Sequence, residues 1–320
     1  MTLTPERGAT LLAQVHAAVS KVLVGQEDAV NDALVAFLAR GHLLIEGVPG
    51  TGKTLLVRAL AITLGLRFAR VQFTPDLMPS DVTGVSLLRD PARGFEFQAG
   101  PIFTDILLGD EINRAPAKTQ SALLEAMGER QVTTDGVTRA LDSLFTVFAT
   151  QNPVEQEGTY PLPEAQLDRF LLKAIIGYPN QAAELAMLAA HEQGFDAERL
   201  GQTGLVALLD RETALALREL GDRVRVAPEV MGYIAAITRA TREESSLALG
   251  ASPRASVALL RTARAAAVLA GRDFATPDDV KERVAPALRH RITLAPELEV
   301  EGRTPDDVLA AILLRVDAPK

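Results

Sequence analysis

The chain has 320 residues, 48% of them apolar and 23% charged. These values fit an ordered globular protein of about two domains. A net charge of −8, with 11 Phe, 3 Tyr and no Trp, argues against a protein that coats nucleic acid or stacks its bases. With no cysteine present, disulfides, thiolate metal sites and Cys nucleophiles are excluded.

Taken in chain order, residues 5–20 and 27–39 carry apolar side chains at helical spacing. The first stretch lacks a basic start and is interrupted by Gln14 and His16. It reads as an amphipathic helix and not as a secretion signal. No charge-free run approaches the ~18 residues of a membrane span, so a cytoplasmic protein without membrane insertion is expected. Short apolar runs at 42–46, 68–73, 106–109, 144–149 and 171–176 read as strands, and 53–64, 118–127 and 164–168 as helices. Such alternation favours a mostly parallel sheet with helices on both faces. Residues 74–101, rich in Pro and Gly, read as an insertion, and 130–143 as a β-hairpin turning at Asp135-Gly136. After residues 177–180 the chain becomes rich in Ala, Leu and Arg and reads as helices. We therefore expect an αβ core over 1–178 and a helical domain over 179–320. The string Thr-Pro-Asp-Asp-Val at 276–280 and 304–308 reads as two helix starts, with Thr as cap, Pro first and acids facing the dipole. His16, His42, His191 and His290 show no metal-ligand spacing and are expected to be structural.

Residues 47–54, Gly-Val-Pro-Gly-Thr-Gly-Lys-Thr, match G-x-x-x-x-G-K-[ST] between a strand and a helix, which is a phosphate-binding loop. Glycines let backbone N–H groups converge on phosphates, and the helix N-terminus adds partial positive charge. Lys53 can reach the β- and γ-phosphates, and Thr54 can offer its hydroxyl to Mg²⁺. A second apolar strand ends in Asp110 and Glu111. Alone, such a pair fits any strand end at the surface. After a phosphate loop, Asp110 can hold Mg²⁺ and Glu111 can polarise the attacking water. Asn152, just past the strand at 144–149, can orient that water, or simply form a turn before Pro153. Arg169 lies at a helix-to-strand junction. Arg254 follows Ser252-Pro253 in the first turn of a helix, where a cation opposes the dipole by roughly 0.3–1 kcal/mol and a phosphate nearby would offset the cost. By position alone, both arginines also fit a solvated surface.

These residues resemble the AAA+ ATPases, and more closely the MoxR family. The resemblance covers about residues 5–316: Val24-Gly-Gln-Glu27, the phosphate loop, Gly109-Asp-Glu-Ile-Asn-Arg-Ala-Pro116, Phe148-Ala-Thr-Gln-Asn-Pro153, Glu164-Ala-Gln-Leu-Asp-Arg-Phe170 and Ser252-Pro-Arg-Ala-Ser256. It implies an α/β fold, an αβα core with a parallel five-stranded sheet followed by a small all-α lid. It also implies that Gly47, Val48, Pro49, Gly50, Thr51, Gly52, Lys53, Thr54 and Leu55 bind ATP, with Thr54 and Asp110 on Mg²⁺. Val24, Gly25 and Gln26 would line the adenine pocket. Glu111, Asn152, Arg169 and Arg254 would be catalytic: Arg169 as a finger reaching a neighbouring subunit's γ-phosphate, Arg254 from the lid of the same subunit, with ATP between core and lid. The insertions at 74–101 and 130–143 would mark the clade that also holds chelatase subunits and replicative helicases. The family further implies a homo-oligomeric ring, most often a hexamer. Its work is chaperone-like remodelling of protein complexes, often with von Willebrand factor A domain proteins. A nucleic-acid motor, a metal-chelatase-type motor and a binding module without turnover are the alternatives. The net charge and the few aromatics oppose the first, and Glu111 beside Asp110 opposes the last.

Overall fold

The computed structural model describes residues 3–90, 94–153 and 159–319; residues 91–93 of the expected insertion lie outside them. Two helices come first, α1 (Pro5–Val22) and α2 (Glu27–Leu38). The core then runs β1 (Leu43–Gly47), α3 (Lys53–Thr63), β2 (Phe68–Gln72), α4 (Pro79–Thr83), β3 (Gly84–Asp90), β4 (Gly94–Ala99) and β5 (Ile106–Asp110). It continues with α5 (Ala117–Glu129), β6 (Gln131–Thr134), β7 (Val137–Ala140), β8 (Thr146–Gln151), α6 (Glu164–Leu167) and β9 (Leu172–Ile176). The remainder holds α7 (Gln181–Glu192), α8 (Arg211–Arg223), α9 (Pro228–Glu243), β10 (Leu247–Leu249), α10 (Pro253–Leu269) and α11 (Pro277–Leu288). It ends with β11 (Thr293–Leu294), α12 (Pro296–Val300) and α13 (Pro305–Arg315).

Five strands pair in the order β2-β5-β8-β1-β9, all parallel. Alternate side chains of a strand point to opposite faces, and the two apolar clusters follow that rule. Leu43, Ile45, Ile106, Leu108 and Phe148 face α1, α2 and α3. Leu44, Leu107, Val147 and Ala149 face α5 and the hairpin side. The expected insertion folds as α4 and the antiparallel hairpin β3–β4. The second hairpin, β6–β7, turns at Asp135-Gly136 with φ of +53° and +75°, the mirror-image turn that suits strand twist.

Both Thr-Pro-Asp-Asp-Val strings form capping boxes, with the Thr hydroxyl and the third-position Asp exchanging hydrogen bonds with backbone N–H groups. The C-terminal helices also hold a short antiparallel pairing, β10 with β11. The change of composition after 177–180 coincides with no break in packing. Leu209, Leu217 and Leu220 belong to the same apolar cluster as the sheet. Arg211 pairs with Asp105 and Asp142, and the buried Arg218 donates to Ser143 O at 2.8 Å. Those charges fasten α8, a helix within the segment expected to form the helical domain, to the αβ layer.

Because the strands are parallel, Gly47, Gln72, Asp110, Gln151 and Ile176 all reach one edge of the sheet. Ligands of open α/β sheets bind outside that carboxyl edge. Among the described residues, no helix is long and apolar enough to cross a membrane.

Candidate functional site

Between β1 and α3 the chain turns through Gly50 and Gly52, at φ of +82° and +86°. L side chains avoid this region. A Cβ on Gly52 would lie 2.5 Å from Leu23 Cδ1, whereas one on Gly50 would meet nothing within 4 Å. One glycine is thus demanded by packing, and the other leaves the outer face of the loop open. Thr51 Oγ1 closes the turn by donating to Val48 O at 2.9 Å. Gly52 caps α3 without a side chain, so the N–H groups of the first turn stay available to an anion. Lys53 Nζ donates to Gly47 O at 2.7 Å and Val48 O at 2.8 Å. Burial pulls its pKa below the ordinary lysine value, and Asp110 and Glu111 oppose that shift.

Asp110 ends β5 and is 7% exposed. Its Oδ2 accepts from Arg70 Nη2 at 2.6 Å and from Thr54 Oγ1 at 3.4 Å, and its Oδ1 accepts from Thr150 Oγ1 at 2.6 Å. Glu111 takes a left-handed backbone, φ +56°, and its N–H donates to the same Thr150 Oγ1 at 2.8 Å. One buried hydroxyl therefore positions both acids. Glu111 Oε2 accepts from Gln72 Nε2 at 2.9 Å and from Arg114 Nη1 at 3.0 Å. Gln72 Oε1 in turn accepts from Arg70 Nη2 at 2.9 Å, which joins the two acids through β2.

A cavity of about 940 Å³ opens here, the size of a small-molecule site. One end is polar, with Pro49–Leu55, Arg70, Asp110, Glu111, Thr150 and the buried Asn152. The other end is largely apolar, with Val22–Val24, Tyr178, Met187 and Phe195. Gln26 also lines the cavity and donates from Nε2 to Gly177 O at 3.0 Å, tying the two sides together. Such a cleft can take phosphates at one end and a flat ring at the other.

Gly25, Gly47 and Val48 do not line the cavity; the last two hold Lys53 with their carbonyls. His191, expected to be structural, lines the cavity instead and stacks edge-on against Phe195 at 5.6 Å. His42 and His290 are buried and bonded to backbone. Arg70, Gln72, Arg114, Thr150 and the α7 residues were not singled out by the sequence. Arg70 and Gln72 sit two apart on one strand, and that alternation was the available signal.

Neither Arg169 nor Arg254 reaches the cavity. Arg169 precedes β9, at the amino edge of the sheet, and five residues at ~3.3 Å each put roughly 15 Å between the edges. Its Nη1 donates to Leu124 O at 2.9 Å. Arg254 Nη1 lies 3.9 Å from Asp168 Oδ2, on that same side, with its side chain 74% exposed. In this structure Arg254, expected over its own subunit's nucleotide, lies outside the cavity. The cavity's far wall is α7 with Phe195, Ala197 and Glu198, and no described residue beyond Glu198 lines it. The cause is Asp168, whose carboxylate accepts from Arg291 Nε at 2.7 Å and Ser252 Oγ at 3.3 Å. Those bonds fasten the start of α10 beside Arg169.

Residues 42–172 match the family described as "ATPase family associated with various cellular activities (AAA)", and residues 239–312 match the "AAA lid domain". The chain is 46% identical to the uncharacterized protein YeaC of Bacillus subtilis, over 97% of this chain and 95% of YeaC. It is 41% identical to "Chaperone MoxR1" of Mycobacterium tuberculosis, over 97% of this chain and 84% of that protein. Among solved structures, it resembles a candidate ATPase of Cytophaga hutchinsonii with a TM-score of 0.88 and 40% identity, over 98% of this chain and 96% of that one.

Proposed function

We propose that this chain, which belongs to the MoxR family of AAA+ ATPases, binds ATP with Mg²⁺ at the carboxyl edge of its sheet and hydrolyses it to remodel partner proteins. The observation that carries the reading is the meeting of Lys53, Thr54, Asp110, Glu111 and Asn152 around one cavity. The residues suit the ligands. The loop face at Gly50 is open, and the Thr54 hydroxyl and Asp110 carboxylate are hard oxygen donors 3.4 Å apart, as Mg²⁺ prefers. Among the described residues, no cluster of three or more His, Asp or Glu would hold a metal alone, so phosphate oxygens and water would complete the shell. When bound, Mg²⁺ neutralises charge on the transferring phosphoryl group.

The chain's own groups do the rest. Lys53 leaves the Gly47 and Val48 carbonyls for the phosphates, and the first N–H groups of α3 hold them. Glu111, its carboxylate aimed by Gln72 and Arg114, takes the proton of the attacking water. Asn152 orients that water. Arg169 and Arg254, grouped around Asp168 at the opposite edge, act on the site of an adjoining copy, which makes a closed ring, a hexamer in this reading, the active form. An arginine finger is worth ~10³–10⁵ in rate in other nucleotide hydrolases, so assembly itself switches turnover. That the work is chaperone-like is supported by the relative named a chaperone. A protein complex, with a von Willebrand factor A domain partner, is the client we propose.

The test is a pair of variants assayed for nucleotide binding and phosphate release. Glu111→Gln keeps binding and loses turnover, while Lys53→Ala loses binding. Full turnover by Glu111→Gln refutes the assignment of the base.

A further inference from the structure

The oxygen of Asp110 that faces Thr54 already carries a cation. Arg70 lies on the edge strand β2, in register with Leu108, and Gln72 pairs with Asp110 itself. This pairing brings Arg70 Nη2 to 2.6 Å from Asp110 Oδ2, the oxygen that also accepts from Thr54 Oγ1 at 3.4 Å. Oδ1 is engaged separately by Thr150 at 2.6 Å. Arg70 lines the cavity beside Lys53 and Arg58. A guanidinium in contact with Oδ2 and a divalent cation on the same oxygen would repel each other at close range, where screening is weakest. The two cannot share it.

We propose that Arg70 competes with the divalent cation for Asp110 Oδ2, and so sets how much cation the site needs to bind nucleotide. The inference rests on the nucleotide reading above. The exchange swaps one cation for another on a fixed carboxylate. Thr150 holds Asp110 in place through Oδ1, while Oδ2 changes partner. Gln72 Oε1, 2.9 Å from the same Nη2, gives the displaced guanidinium an acceptor to stay on.

The test is binding of a fluorescent ADP, with Mg²⁺ titrated from an EDTA baseline, to the full chain and to R70Q, R70M and R70K. Arg70 is half exposed on an edge strand (47%), so melting curves of all three are expected to stay close to the unaltered protein. Charge-assisted bonds are the stronger kind, but exposure weakens them, so R70Q and R70M should reach half-maximal binding at roughly three- to tenfold less Mg²⁺. Their affinity in EDTA should stay within about twofold, and R70K, which keeps the charge, should titrate near the unaltered protein. An unchanged or higher Mg²⁺ requirement in both R70Q and R70M overturns the proposal. So does a loss of affinity in EDTA beyond about fivefold, which would make Arg70 a standing phosphate ligand. Failure of the unaltered protein to bind the probe refutes the nucleotide reading, and the proposal with it.

Discussion

Thr150 is fully buried and serves two acids at once, donating to Asp110 Oδ1 and accepting from the Glu111 N–H. Thr150→Val keeps the shape and removes both bonds. The bond to Asp110 Oδ1 is buried and the one from the Glu111 N–H partly so. A buried polar group left without its partner costs about 1–3 kcal/mol. Glu111 also sits at φ +56°, a conformation that costs an L residue roughly 1–2 kcal/mol and holds only while its surroundings fix it. Stability should therefore fall by about 1–3 kcal/mol, read as a lower urea midpoint at constant slope. Turnover should fall on the order of 10²-fold at saturating ATP, because a carboxylate misplaced by an ångström no longer aligns its water. Thr150→Ser should restore both. A Thr150→Val protein with unaltered midpoint and unaltered kcat refutes the view that this hydroxyl sets the acids.

Two further outcomes are expected. Gly52→Ala should weaken nucleotide binding measured by calorimetry by at least tenfold while leaving the circular-dichroism spectrum intact, since a methyl at φ +86° would press Leu23 Cδ1 and distort the loop. An affinity equal to that of the parent would count against the loop's role. The fold should also lose stability on acidification. Burial pushes His42 down to about 3, and burial holds His290 well below its ordinary 6.5. Both are neutral when folded and take a proton when unfolded, so stability is lost as pH falls below 6.5, for His42 down to about 3. For His42 the loss is about 2 kcal/mol at pH 5. Asp32, which burial raises to about 6, works in the opposite sense by about 1 kcal/mol over the same interval. The urea midpoint should thus drop between pH 7 and pH 5, and a midpoint that rises would contradict the buried neutral imidazoles.

The sheet was legible because its strands are short apolar runs punctuated by helices, and the loop at 47–54 because glycine, lysine and threonine at fixed spacing leave few other uses. Asp110 and Glu111 gained meaning only from that loop. Arg70 and Thr150 stayed hidden for a physical reason: each acts through a neighbour on another strand, and strand order is set by long-range pairing, which local pattern does not carry. Arg254 shows the same limit from the other side. Its helix start was read from Ser252-Pro253 and is observed, but which face it serves depends on Asp168 and Arg291, 86 and 37 residues away in sequence. The helices after residue 180 were visible as helices, whereas the packing of α8 on the sheet rests on the buried Arg218 and the partly exposed Arg211, which composition counts as surface charge.

The most direct test of the central claim, that one copy's loop and acids are completed by another copy's arginine, is phosphate release from a mixture of Arg169→Ala and Glu111→Gln proteins. Each alone should bind ATP and hydrolyse almost none. Mixed rings should recover part of the activity, because one partner supplies the guanidinium and the other the carboxylate. A mixture as inactive as its components, or an Arg169→Ala protein that turns over at the full rate by itself, would contradict the account.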